Sequence, residues 1–186
     1  MKTFVLALAF LATCIATGAA AEERMVRKEV IVKAPVQQVW NAWTTTDGVK
    51  TFFAPDAHVE ARPGGLFEIY MNPYAEPGMK GADDMHVLAV QPEQMLSFTW
   101  NAPPSLPEAR KQRTAVIVRF APVDGGTRVT LTHVGWGDGG EWDKAYAYFD
   151  KVWERVLANL QKRFAEGPMD WSEWLAHLKA PPEAKK

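Results

Sequence analysis

The sequence predicts an α+β fold in which a curved antiparallel sheet is covered by one long C-terminal helix. Three observations carry that expectation. Short segments in the middle of the chain alternate apolar and polar residues between proline- and glycine-rich turns, as antiparallel strands do. From Glu141 to Phe164 the apolar positions Trp142, Tyr146, Phe149, Trp153, Val156, Leu160 and Phe164 fall three or four apart, as on an amphipathic helix. Finally, 186 residues, 47% of them hydrophobic, suffice for one domain with a real core and not for two comfortable ones.

The chain opens on an address. Residues 1–21 (MKTFVLALAFLATCIATGAAA) place Lys2 before an apolar run from Phe4 to Ala12 and end on Ala19-Ala20-Ala21, the small residues a signal peptidase reads. The expectation is export to the periplasm or beyond, with cleavage after Ala21. No later stretch approaches ~18 consecutive apolar residues, so the mature chain carries no transmembrane segment. Cys14 is the single cysteine, and lipidation there is the alternative to ordinary cleavage. With cleavage after Ala21 the mature chain has no disulfide, no thiolate metal site and no cysteine nucleophile. A net charge of -1 argues against a nucleic-acid partner, which usually meets a basic face.

The elements follow in order. Val26 to Lys33 alternates and reads as a strand, with Val26, Lys28, Val30 and Val32 on one side. Pro35 is suited to a first helical position, and Val36, Val39, Trp40 and Trp43 keep helical spacing. Val49, Phe52 and Phe53 suggest a second short helix. A meander of about six strands follows: His58–Arg62, Leu66–Met71, Met85–Val90, Met95–Trp100, Thr114–Phe120 and Thr127–Val134. Pro63-Gly64-Gly65 and Asp124-Gly125-Gly126 supply turns, and the latter is a hairpin signal. Residues 73–81 and 102–112 read as loops. Gly167-Pro168 stops the long helix. The domain therefore spans 22–167, and 168–186 is a tail whose short helix, capped by Asp170, carries Trp171 and Trp174.

Several segments carry a family likeness. Ala34 to Trp43 (APVQQVWNAW) resembles the APxxVWxAL opening helix of the START-like superfamily, also called SRPBCC or Bet v 1-like. Asp47 to Pro55 (DGVKTFFAP) is similar to DPxxxxxWFxP, and Arg62 to Phe67 (RPGGLF) to RPGGxF. Val87 to Pro92 (VLAVQP), Leu96 to Trp100 (LSFTW) and Gly125 to His133 (GGTRVTLTH) resemble VLEVxP, LxFTW and GGTRLTLTH. The likeness covers roughly 26–166 and is closest to the branch named for the activator of a heat-shock chaperone ATPase. Phe52-Phe53 stands where that branch usually has Trp-Phe, and the Trp-containing tail lies outside its motifs. The resemblance implies a helix-grip fold, with a cavity between sheet and helix.

Walls of Trp, Phe and Met suit an apolar small molecule or lipid. Strand alternation aims Phe67, Ile69, His86, Leu88, Phe98, Trp100, Val118, Phe120, Leu131 and His133 inward. The long helix adds Tyr146, Phe149 and Trp153, and Trp136, on the Gly135–Gly140 loop, is a candidate lid. Each of these residues is as readily core filler as ligand contact, since packed interiors are the default. His133 and His86 are candidates for a ligand head group or for proton transfer, or they are core histidines paired with a neighbouring hydroxyl or backbone group. No tight metal-ligand spacing exists, and no cofactor is implied. The Gly135–Gly140 loop lacks the P-loop pattern. No GxSxG, HExxH or cysteine supports hydrolase chemistry. The reading is thus a carrier, sequestering protein or sensor of a hydrophobic molecule, without turnover. The alternatives are a cyclase- or hydrolase-like enzyme using His133 or His86, and a protein-interaction module of the chaperone-activator type.

Overall fold

A computed structural model describes residues 24–180. The expected signal peptide, the cleavage after Ala21, Cys14 and the last residues of the tail lie outside the described residues. Strand β1 (Val26–Val32) leads into helices α1 (Val36–Thr44) and α2 (Thr46–Lys50). Strands β2 (Asp56–Val59), β3 (Phe67–Tyr70) and β4 (Gly81–Ala82) form a small antiparallel sheet in that order. Strands β5 (Val87–Gln91), β6 (Met95–Trp100), β7 (Thr114–Val123) and β8 (Gly126–Val134) join β1 in a larger sheet ordered β1-β8-β7-β6-β5. A one-turn helix, α3 (Pro107–Arg110), separates β6 from β7. Helix α4 (Gly140–Glu166) lies across the large sheet, and α5 (Ser172–Lys179) follows.

Local chemistry explains most of these boundaries. Pro35 sits at the N-cap of α1 with φ -58° and ψ 146°, so the helix starts at Val36, one residue after the expected start. The Thr45 hydroxyl caps α2 by accepting from the Gly48 amide. Asp124-Gly125 closes the β7–β8 hairpin, where Val123 pairs with Gly126 and Gly125 takes φ 81°. Gly167, at φ 108°, ends α4. Asp170 is not the cap that the sequence suggested: the N-cap of α5 is Trp171, and Asp170, one residue before it, accepts the Ser172 amide, a bond that holds its carboxyl below the usual range.

Two expectations need correction. The strands form two sheets rather than one meander, joined where Phe67 donates to the Met85 carbonyl and Val87 to the Gly65 carbonyl (2.8 Å each). The phase of β5 is also one residue off. Met85 and Val87 are the buried pair, so Leu88 points outward at 49% exposure, and His86 reaches Gly64 O and Asp84 on the surface. A bulge between Val87 and Ala89 then shifts the register, and Val90 returns to the core. Uninterrupted alternation cannot foresee that extra residue.

The core lies between the large sheet and α4. The helix buries Phe149, Trp153, Val156, Leu157 and Leu160 in one cluster with Leu96, Phe98, Val116, Val118, Val129 and Leu131, while Ala145 packs with Ala102 and Ala109. Aromatic rings run through it: Phe67 stacks on Phe98 at 3.9 Å, Trp100 meets Trp153 at 5.3 Å, and Phe53 meets both tryptophans below 6 Å. One polar chain fixes helix to sheet. The Trp153 indole N–H donates to His133 Nδ1 (2.9 Å), so the ring proton sits on Nε2 and is donated to Thr114 Oγ1 (2.6 Å). That hydroxyl donates in turn to the Trp100 carbonyl (3.2 Å).

Trp43 offers the contrast, because its buried indole N–H meets no partner among the described residues. Trp153→Phe leaves His133 Nδ1 unpaired, whereas Trp43→Phe removes a donor that had no partner. Urea unfolding should therefore find Trp153→Phe less stable than Trp43→Phe by about 1–3 kcal/mol. Equal losses would show that the Trp153–His133 bond contributes nothing net.

Candidate functional site

Beneath the middle of α4, Trp153, Val156 and Leu157 are buried in the core. The open space lies to one side, where α4 faces the small sheet and the loop after β6. It has two lobes. The first, of about 230 Å³, is walled by Phe53, Ile69, Met71, Met79, Trp100, Pro103, Pro104, Phe149 and Val152. Its polar wall groups are Asn72, Lys80, Asn101 and Tyr148. The second, of about 220 Å³, is formed by Phe53, Met71, Tyr148, Val152, Arg155, Val156, Asn159, Trp171 and Trp174. The lobes share Phe53, Met71, Tyr148 and Val152 and so adjoin on one grooved face of the helix. Tyr148, Val152, Arg155 and Asn159 are spaced by four, three and four residues and make a second stripe of α4 beside the core-facing one.

Long-range polar contacts set the walls. The Arg110 guanidinium, on α3, donates to the carbonyls of Ala102, Gly78 (2.6 Å) and Gly81 (2.9 Å) and to Asp83 Oδ2 (3.2 Å). Asp83 also accepts the backbone N–H of Gly78, Lys80 and Gly81. Burial lowers the Arg110 pKa, with Asp83 opposing the shift. This near-buried pair ties the 78–83 loop to the 101–104 loop, and both line the first lobe. Glu141, in the first turn of α4, accepts the amides of Glu108 and Ala109 and so seats α3. Gly81 admits no side chain, since a Cβ there would lie 2.3 Å from the Ile69 carbonyl oxygen. The tail closes the second lobe. Trp171 Nε1 donates to Lys50 O (2.7 Å), Trp174 Nε1 to Met71 O (2.8 Å) and the Met169 amide to Thr51 O (2.8 Å).

The polar groups in the wall are few. Asn101 is 5% exposed as a residue and borders the first lobe. Lys80 is half-buried, its ammonium 5.1 Å from the centre of the Tyr70 ring. Desolvation raises the Tyr148 phenol above its ordinary pKa, against an opposing pull from Arg155, although the side chain is 45% exposed.

Of the residues expected inward, Ile69, Trp100 and Phe149 line the groove. Phe67, Phe98, Val118, Phe120, Leu131, His133 and Trp153 are buried in the packed core and line neither lobe. Trp136 is no lid. It packs on His133, Tyr146 and Phe149 and donates to the His133 carbonyl. Tyr146 faces the start of β1, donating to Met25 O beneath Arg24. Leu88 and His86 point out of the fold, as described above. His133 is a core histidine with both ring nitrogens bonded, and burial lowers its pKa to about 3. Sequence reading missed Phe53 as a wall residue, the two loops, Tyr148 and Val152. The one available signal was the i, i+4 spacing of Tyr148 and Val152 beside the core stripe.

A curved sheet around a long helix, with a groove along that helix, is the layout of a START-like helix-grip domain. The chain belongs to the family described as Activator of Hsp90 ATPase homolog 1-like protein, whose sequence profile matches residues 33–165. Among solved structures it is similar to a protein from Mesorhizobium loti (23% identity, TM-score 0.64, covering 78% of this chain and 100% of that one). It is also similar to the Aha1 dimer from Colwellia psychrerythraea (19%, 0.60, covering 77% and 98%). An AHSA1-like protein from Rhizobium etli aligns at 22% identity and TM-score 0.57, covering 81% and 88%. At these identities the likeness is one of fold. No curated protein matches the chain. The α5 tail lies beyond the family match.

The His133 shift gives a pH dependence. An unfolded histidine takes a proton below about 6.5, and the folded one does so only near 3. Stability is therefore full above 6.5 and falls on acidification, by up to about 1.4 kcal/mol per pH unit from this group. Thermal melts from pH 7.5 to 4 should show a shallower slope in His133→Gln than in the parent. Parallel slopes would relieve His133 of the role.

Proposed function

We propose that this domain holds a hydrophobic small molecule or lipid in the two-lobed groove and carries, sequesters or senses it without turnover. The supporting observation is the pair of adjoining lobes, about 230 and 220 Å³, behind aromatic, methionine and proline walls of the kind that suit an apolar ligand. Residues 1–21 support export, with cleavage after Ala21 placing the domain in the periplasm or outside the cell. The reading through His133 or His86 as general acid or base loses its geometry, since neither histidine lines the groove. The family name favours a second reading, a protein partner of the chaperone-ATPase type, and the export signal argues against it.

Val152 faces both lobes and is only half-buried, so Val152→Trp blocks the groove with little cost to the core. An environment-sensitive apolar dye should bind the parent protein and bind Val152→Trp at least tenfold more weakly, with melting temperatures within a few degrees of each other. A parent protein that takes up no dye, and releases no organic molecule on denaturing extraction and mass spectrometry, would overturn the carrier reading.

A further inference from the structure

The second lobe is closed by a helix that buries none of its own side chains. Helix α5 carries Trp174, Leu175 and Leu178, yet no residue of it is buried, and Trp174 is 44% exposed. The tail is fastened through main-chain oxygens at the surface. Lys50 and Thr51, which receive the Trp171 indole and the Met169 amide, stand at the C-terminal end of α2, where a helix leaves carbonyls without intrahelical partners. The Trp174–Met71 bond is exposed, the Trp171–Lys50 bond is part-buried, and Lys179 lies 4.8 Å from the centre of the half-exposed Tyr74 ring. Lifting the tail returns these donors and acceptors to water and strands none of them in a dry interior. Gly167 is the joint: at φ 108° it takes a conformation that favours glycine, and Pro168 follows it.

The same segment is a wall of the groove. Trp171 and Trp174 border the second lobe together with Phe53, Met71 and Val156, and the main chain that receives Trp174 belongs to Met71, whose side chain borders both lobes. A segment with few buried contacts opens locally while the rest of the fold stays intact. Resting on the carrier reading, we propose that residues 168–180 are a strap that opens about Gly167 and gates the entry and release of the occupant through the second lobe. With the strap down, the two tryptophans add wall to the lobe, so an occupant there gains their contact only in the closed state. Occupancy and closure therefore favour each other by the same factor. Exchange needs the open state, so the strap slows uptake and release alike.

The test uses the full chain and Nile red, a neutral environment-sensitive dye, followed by stopped flow, with strap opening read from hydrogen exchange at the Met169 amide. Trp171→Phe combined with Trp174→Phe keeps an aromatic ring at each position and removes both indole donors. Met169 exchange should then rise roughly fivefold or more, because the closed state loses two of its bonds. Dye association and dye release should both quicken by about the same factor, with the equilibrium affinity little changed, as a gate that remains mostly closed requires. Trp174→Phe alone, which touches only the exposed bond, should give intermediate rates with an unchanged melting temperature. Saturating dye should slow Met169 exchange in the parent. Faster Met169 exchange with unchanged dye rates overturns the gate and leaves the carrier reading standing. Faster release with unchanged association also overturns it, reducing the tryptophans to plain ligand contacts. Equal Met169 exchange in parent and double variant shows that the indole bonds do not hold the strap and likewise overturns the proposal. Failure of the dye to bind the parent removes the gate and the carrier reading together.

Discussion

The hydrogen bond from Trp153 to His133 is the constraint on which the rest of the arrangement depends. A tryptophan can only donate, so the imidazole must accept at Nδ1 and keep its proton on Nε2. That proton must then find Thr114, whose own hydroxyl turns to the Trp100 carbonyl. Burial holds the ring neutral, so no charge has to be accommodated in the core. Because each member of the chain has one workable orientation, the long helix is fixed in both rotation and height above the large sheet. Hydrophobic burial alone would tolerate small slips of the helix, whereas a directed polar chain in a dry interior does not.

The groove follows from that fixed helix. With Phe149, Trp153 and Val156 turned to the large sheet, the adjoining stripe of Tyr148, Val152, Arg155 and Asn159 is turned to the small one. The small sheet has three short strands: Phe67 packs it onto the large sheet, and Arg110 with Asp83 ties its last strand to the loop after β6 at the rim of the groove.

Much of the scaffold was legible in the chain. The β7–β8 hairpin follows from Asp124-Gly125-Gly126, the long helix from its apolar spacing, and the first helical pair from Pro35 and the run Val36 to Trp43. The phase of β5 was not, because a bulge resets a two-residue period without marking the composition. The site was the least legible part. Alternation says which side chains point inward, and it found Ile69 and Trp100. It does not say where inward side chains fail to meet. That depends on Arg110 and Asp83, far apart in sequence in segments that read as loops, and on a tail whose tryptophans carry no periodic signal. Arg155, an exposed charge on the long helix, carries no sign in the sequence of the groove beside it.

The way the tail is fastened has a consequence for variation along the chain. Its three donors, two indoles and one amide, all meet main-chain oxygens, at Lys50, Thr51 and Met71. Every residue type offers such an oxygen, so drift in the side chains at those receiving positions leaves the attachment intact. The recognition code is written on one partner only. A segment bearing two correctly spaced tryptophans could be transplanted onto a related scaffold without rewriting its surface, and the loss of either indole cannot be compensated from the other side.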